Sequence, residues 1–112
     1  MTENAAAWLT VPDLVEELGL GVGQIHRLLE DRALLAVRRD GVLVVPAEFI
    51  RDGEPVVGLA GTITLLADSG YSDDEAMRWL LAEEESLGRT PIASLRDGHK
   101  SAVRRAAQSL AF

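Results

Sequence analysis

The sequence predicts a mainly α-helical fold with one small antiparallel β-hairpin, the hairpin belonging to the first half and three to four helices forming the second. Three observations predict it. Apolar residues recur at helical spacing through most of the chain. Asp40-Gly41 divides two β-prone runs, Leu34 to Arg39 and Val42 to Val45, and a tight hairpin favours such a pair because both central residues take positive φ. Residues 51–58 (RDGEPVVG) hold two Gly and a Pro and read as the boundary between halves.

Residues 1–7 read as a short flexible tail. Thr10 is placed to cap a first helix: Pro12 falls in the first turn, where its missing N–H costs little, and Asp13 stands three after the cap. Leu14, Val15 and Leu18 form its apolar face, Glu16 and Glu17 point away, and Gly19 ends it. A second helix runs from about Val22 to Asp31, with Ile25, Leu28 and Leu29 inward and Gln24, His26, Arg27 and Glu30 outward. The hairpin follows. Pro46 stops its second strand, and the next residues turn Phe49 and Ile50 onto the core.

In the second half, Leu59 to Ser69 carries Leu59, Ile63 and Leu66 on one face and closes at Gly70. Ser72-Asp73-Asp74-Glu75 is a capping box opening another helix, which runs on towards Glu83-Glu84-Glu85 at an exposed end. Pro91 to Arg96 reads as a short helix with Ile92 and Leu95 inward. A last helix after Gly98 carries Val103, Ala106, Ala107 and Leu110. These boundaries give residues 8–52 as one unit, 53–58 as a linker and 59–112 as a C-terminal helical domain.

With 112 residues, the chain fits one domain or two very small ones sharing a core. No cysteine occurs, which excludes disulfides, thiolate metal sites and Cys nucleophiles. His26 and His99 are far apart with no motif between them, which argues against a metal site. Paired catalytic carboxylates, a phosphate loop and a nucleophile elbow are all missing, so the sequence speaks against an enzyme and calls for no cofactor. The start lacks the basic and apolar pattern of a signal peptide, and the longest apolar run, Val42 to Ala47, is too short to cross a bilayer. The expectation is a cytoplasmic protein with no membrane partner.

Net charge is −7, which opposes nucleic-acid binding. Its distribution does not. Residues 22–39 carry Arg27, Arg32, Arg38 and Arg39 against only Glu30 and Asp31. Around Gly19, apolar Leu14, Val15, Leu18, Leu20, Val22, Ile25 and Leu28 fall at the intervals by which one helix braces a second against DNA. The hairpin adds a wing bearing Arg38-Arg39.

On these features, residues 8–50, WLTVPDLVEELGLGVGQIHRLLEDRALLAVRRDGVLVVPAEFI, resemble the MerR/excisionase type of winged helix-turn-helix. With GYSDDEAMRWLL and the terminal VRRAAQSLAF, most of the chain resembles a family of small actinobacterial DNA-binding regulators that join such a domain to C-terminal helices. The resemblance implies double-stranded DNA as partner, with the second helix in the major groove and the wing on phosphate or in the minor groove. It casts Gln24, His26 and Arg27 as helix contacts and Arg38 and Arg39 as wing contacts. Thr10 and the N–H groups at Gly21 to Gly23 would hold phosphates. The sequence departs from the pattern at Gly21 and Gly23, where a Ser or Thr cap and a basic residue usually stand, and at Val15, where a small residue is usual.

Blander roles stand beside these. Trp8 and Trp79 suit core or inter-domain packing, and Lys100, Arg104 and Arg105 suit the helix dipole better than a second DNA contact. The alternative function is a protein-interaction module on a winged fold. GRTPIASLRDG and the basic-apolar helix after it are similar to the C-terminal region of some antitoxins, which would give the last helices a protein partner or a second copy of the chain.

Overall fold

The computed structural model describes residues 7–110, so the expected tail lies almost wholly outside the described residues. The order is β1 (Trp8–Thr10), α1 (Val11–Leu18), α2 (Val22–Glu30), β2 (Val37–Arg39), β3 (Val42–Pro46), a 3₁₀ turn at Ala47–Phe49, β4 (Ile50–Arg51), β5 (Glu54–Pro55), α3 (Leu59–Asp68), α4 (Asp73–Leu81), α5 (Pro91–Arg96) and α6 (Lys100–Gln108).

β3 is the centre of a three-stranded antiparallel sheet, β1-β3-β2. Trp8 lies opposite Pro46 and Thr10 opposite Val44, while Val37 also lies opposite Val44 and Arg39 opposite Val42. Thus Pro46 is the last paired residue of its strand. The expected strand from Leu34 is shorter: Leu34 and Leu35 are buried in the connection after α2, and pairing starts at Val37. At the hairpin, Asp40 and Gly41 have φ of 54° and 80°, as the tight turn demands.

Residues 51–58 are ordered. β4 and β5 form a second small hairpin around Asp52-Gly53, and Val56 is buried after it. Gly58 follows at φ 91°, and a Cβ there would meet the Lys100 Cβ at 2.9 Å and the Leu95 Cδ2 at 3.0 Å. Glycine therefore meets two needs here, a left-handed backbone and a close approach to the root of α6.

The core runs through both halves. Leu14, Ile25, Leu34, Val45 and Phe49 belong to the same buried cluster as Leu59, Ile63, Leu66, Leu80, Ile92, Leu95 and Val103. Polar links cross between the halves as well. Arg32 pairs with Asp73 at 2.7 Å, and the Arg96 guanidinium donates to the carbonyls of Glu48 and Ile50. Glu83 to Glu85 lie beyond α4, in a turn whose Glu84 bridges to Arg89, and not on the end of a helix.

Candidate nucleic-acid interface

α1 and α2 pack together across the Gly19 turn, and only one side of α2 is buried. Ile25 is fully enclosed and Leu28 and Leu29 are half-buried, leaving Gly21, Val22, Gly23, Gln24, His26, Arg27 and Glu30 exposed. The α2 N-terminus is open. Gly21 supplies no side-chain cap; the Gln24 Oε1 reaches back instead to accept its N–H at 2.9 Å. With that oxygen engaged, Gln24 offers solvent chiefly its amide N–H donors. Leu20, Gly21, Gly23, Gln24, Arg27 and Leu28 line one shallow groove, which unites four of the expected contact residues. His26 lies outside that lining.

The wing arginines part company. Neighbouring strand residues point to opposite sheet faces. Arg39 shares a face with Val37, Val44 and Trp8, and its guanidinium lies over the Trp8 ring, 4.6 Å from the centroid. Arg38 shares the other face with Leu43 and Val45, the face on which Val45 joins the core. It donates at 3.2 Å to the Gly41 carbonyl and keeps its remaining N–H groups exposed.

Thr10 is engaged within the fold. Its hydroxyl accepts the Asp13 N–H at 3.3 Å, and its own N–H donates to the Asp13 carboxylate at 3.0 Å. A phosphate approaching there would meet that carboxylate. Arg32, part of the basic count for residues 22–39, is held by Asp73.

Two features escaped the sequence reading. Val22, counted by spacing among the inward residues, is 55% exposed at the first position of α2. Periodicity fixes the side of a helix on which a residue lies, but not whether anything packs there. Trp8 serves as the platform for Arg39, and a Trp a few residues before a capped helix gives no hint of a partner thirty residues on.

This geometry meets the comparisons with known proteins at one point. A family model described as "DNA-binding protein Rv2175c, wHTH domain" matches residues 2–50, and one described as "Rv2175c C-terminal domain of unknown function" matches residues 56–111. The chain belongs to the Rv2175c family. "DNA-binding protein Rv2175c" of Mycobacterium tuberculosis is 40% identical over 94 residues, covering 83% of this chain. The alignment covers 61% of that relative's length, under two thirds of it. The solved structure titled "NMR structure of Rv2175c" superposes with a TM-score of 0.83 at 32% identity, over 100% of this chain and 85% of the other. The winged helix-turn-helix with C-terminal helices is therefore the family's fold, and the two matched segments meet at the second hairpin.

Proposed function

We propose that the protein binds double-stranded DNA as a small transcriptional regulator, with the first turns of α2 in the major groove and the wing on the backbone or minor groove. The observation that carries this reading is the groove at the open end of α2, where Gly21 and Gly23 bare the backbone beside Gln24 and Arg27. The family's DNA-binding name supports it. Residues 8–52 form the DNA-binding unit, of the MerR/excisionase type that their sequence resembles, and residues 59–112 form the second unit.

Roles follow from the contacts. Arg27 reaches a guanine edge or a phosphate, Gln24 donates to a base or phosphate acceptor, and the Gly21 to Gly23 backbone approaches a phosphate. His26 contacts the groove wall. Arg38 is the wing's phosphate ligand. Arg39 acts chiefly through Trp8, bracing the sheet that holds the hairpin, and Thr10 acts as the cap that positions α1. Location in the cytoplasm goes with this role; among the described residues no helix is long and apolar enough to cross a membrane.

Fluorescence anisotropy with a labelled duplex at about 50 and 200 mM salt tests the site, because each phosphate contact contributes about 0.9 to the slope of log affinity against log salt. Arg27→Ala with Arg38→Ala should weaken binding about tenfold or more at the lower salt and flatten the slope by about 1.8. Unchanged affinity in a folded double variant would eliminate this interface.

A further inference from the structure

We propose that the solvent face of α6 is a second contact for duplex DNA, made to phosphates by Lys100, Arg104 and Arg105. It rests on the reading of the first half as a DNA binder, and it gives the C-terminal half a part in the same event. The starting point is where the positive charge goes. The chain has 11 Lys and Arg residues in an acidic total of −7. Arg32 and Arg89 form ion pairs with Asp73 and Asp97, both at 2.7 Å. Arg51 donates to the Arg96 carbonyl, and Arg96 to the carbonyls of Glu48 and Ile50. Arg39 lies on Trp8 and Arg38 donates to Gly41. Arg27, Arg78, Lys100, Arg104 and Arg105 make no hydrogen bond, ion pair or ring contact with a described residue, so three of these five cations sit on one helix.

The helix dipole accounts for Arg105 alone. Cations favour the last turn of a helix and are disfavoured in the first. Lys100 is the first residue of α6, Arg104 is its middle residue, and only Arg105 stands in the last turn. Anchoring does not explain them either, since Val103, Ala106 and Ala107 bury the other side while all three cations are exposed. Lys100, Arg104 and Gln108 fall four residues apart in one stripe, with Arg105 beside it. The surface is also free of opposing acid along the chain, for no Asp or Glu occurs from Gly98 onward. The nearest acidic segment in sequence to the groove that Arg105 shares with Ser86 is the turn from Glu83 to Glu85. Its Glu84 carboxylate accepts the Ser86 N–H and hydroxyl at 3.3 and 2.9 Å and stays charged, so the contact is placed on the Lys100 and Arg104 stripe with Arg105 at its edge. Gly58 closes on the Lys100 Cβ, which fixes the stem of that side chain against the start of α3.

Charge arithmetic then favours duplex phosphate as the occupant. With Arg32 and Arg39 engaged, the N-terminal interface keeps Arg27 and Arg38 for phosphates, a small electrostatic share in a protein of net charge −7. α6 more than doubles that share.

The test uses the full chain and the labelled duplex titration at several salt concentrations. Lys100→Ala, Arg104→Ala and Arg105→Ala together should flatten the salt slope by about 2.7 and weaken binding at least about tenfold at low salt. The charge-keeping set Lys100→Arg, Arg104→Lys and Arg105→Lys should bind like wild type. Arg78→Gln, which removes an exposed cation from α4, should leave the slope unchanged; a loss per charge equal to that at α6 would mean that net charge alone is read, and would overturn the proposal. A wild-type protein that binds while the triple Ala variant keeps its full slope overturns the α6 contact and spares the N-terminal interface. Failure of wild type to bind any duplex overturns both. Thermal unfolding of each variant should match wild type, since all the changes are at exposed positions.

Discussion

α1 and α2 are near twins in size and burial, yet their N-termini are built in opposite ways. Each contributes one fully enclosed residue, Leu14 from α1 and Ile25 from α2, to the same core. α1 is closed: the Thr10 hydroxyl and the Asp13 carboxylate satisfy each other's backbone N–H groups, and a Pro occupies the first turn. α2 is open: Gly21 brings no side chain, and Gln24 alone reaches back. A helix whose work is to brace gains stability by satisfying its own end. A helix end left without a side-chain cap keeps its N–H groups and the positive end of the dipole open to an anion, which is the feature the proposed function uses at α2.

The largest expected effect tests whether the two helices share one core despite this difference. Leu14→Ala and Ile25→Ala should each cost about 2–5 kcal/mol, since both side chains are wholly enclosed. The check is the midpoint of urea unfolding. A cost below about 1 kcal/mol at Ile25 alone would mean that α2 docks loosely, far from the behaviour of an enclosed side chain.

How much of this was legible beforehand depends on how local the cause is. The α1 cap, the Gly19 stop, the Asp40-Gly41 turn and the α4 capping box are short-range devices, and each stands in the structure where its residues predict it. β1 was not legible. Three residues hold no alternation to read, and Trp8 to Thr10 become a strand only because β3 lies alongside. The second hairpin is different, because Asp52-Gly53 repeats the dipeptide of the first turn with nearly the same φ values, 54° and 76°. Its flanking strands are two residues each, too short to outweigh the Gly and Pro that suggest a linker. Within the candidate interface, the exposed face of α2 followed from periodicity. The division of labour between Arg38 and Arg39 did not, since it depends on a ring supplied by another strand.

Smaller effects sharpen the contrast between closed and open ends. Thr10→Ala removes a cap hydroxyl and should cost about 1 kcal/mol. Gly21→Ser should instead stabilise, by a few tenths of a kcal/mol on the order found between Gly and Ser caps. The backbone permits it: Gly21 has a φ of −78°, and a Cβ there meets only the Gln24 Oε1 at an ordinary 3.7 Å. Thermal midpoints of the two variants should move in opposite directions. If both fall, α2 is not short of a cap.

The smallest effect separates two ends that share a geometry and differ in chemistry. In α4 the Glu75 carboxylate accepts the Ser72 N–H at 2.8 Å; in α2 the Gln24 amide oxygen accepts the Gly21 N–H at 2.9 Å. Only the first can titrate. The bond from the Ser72 backbone, aided by the Ser72 hydroxyl, holds the Glu75 carboxyl below its usual pKa. A carboxyl depressed in the folded state adds stability above its unfolded pKa, and that stability fades as pH falls through the usual range towards the lower folded value. Asp97, held low by Arg89, titrates in the same sense and would blur a measurement on wild type alone. The informative quantity is therefore the stability of wild type minus that of Glu75→Gln, followed from neutral pH to below about pH 4. The difference should be positive near neutrality and shrink with acid, while wild type minus Gln24→Ala should stay level. A Glu75 difference that grows with acid would contradict the capping role assigned to it, because a protonated carboxyl is the weaker acceptor for that N–H.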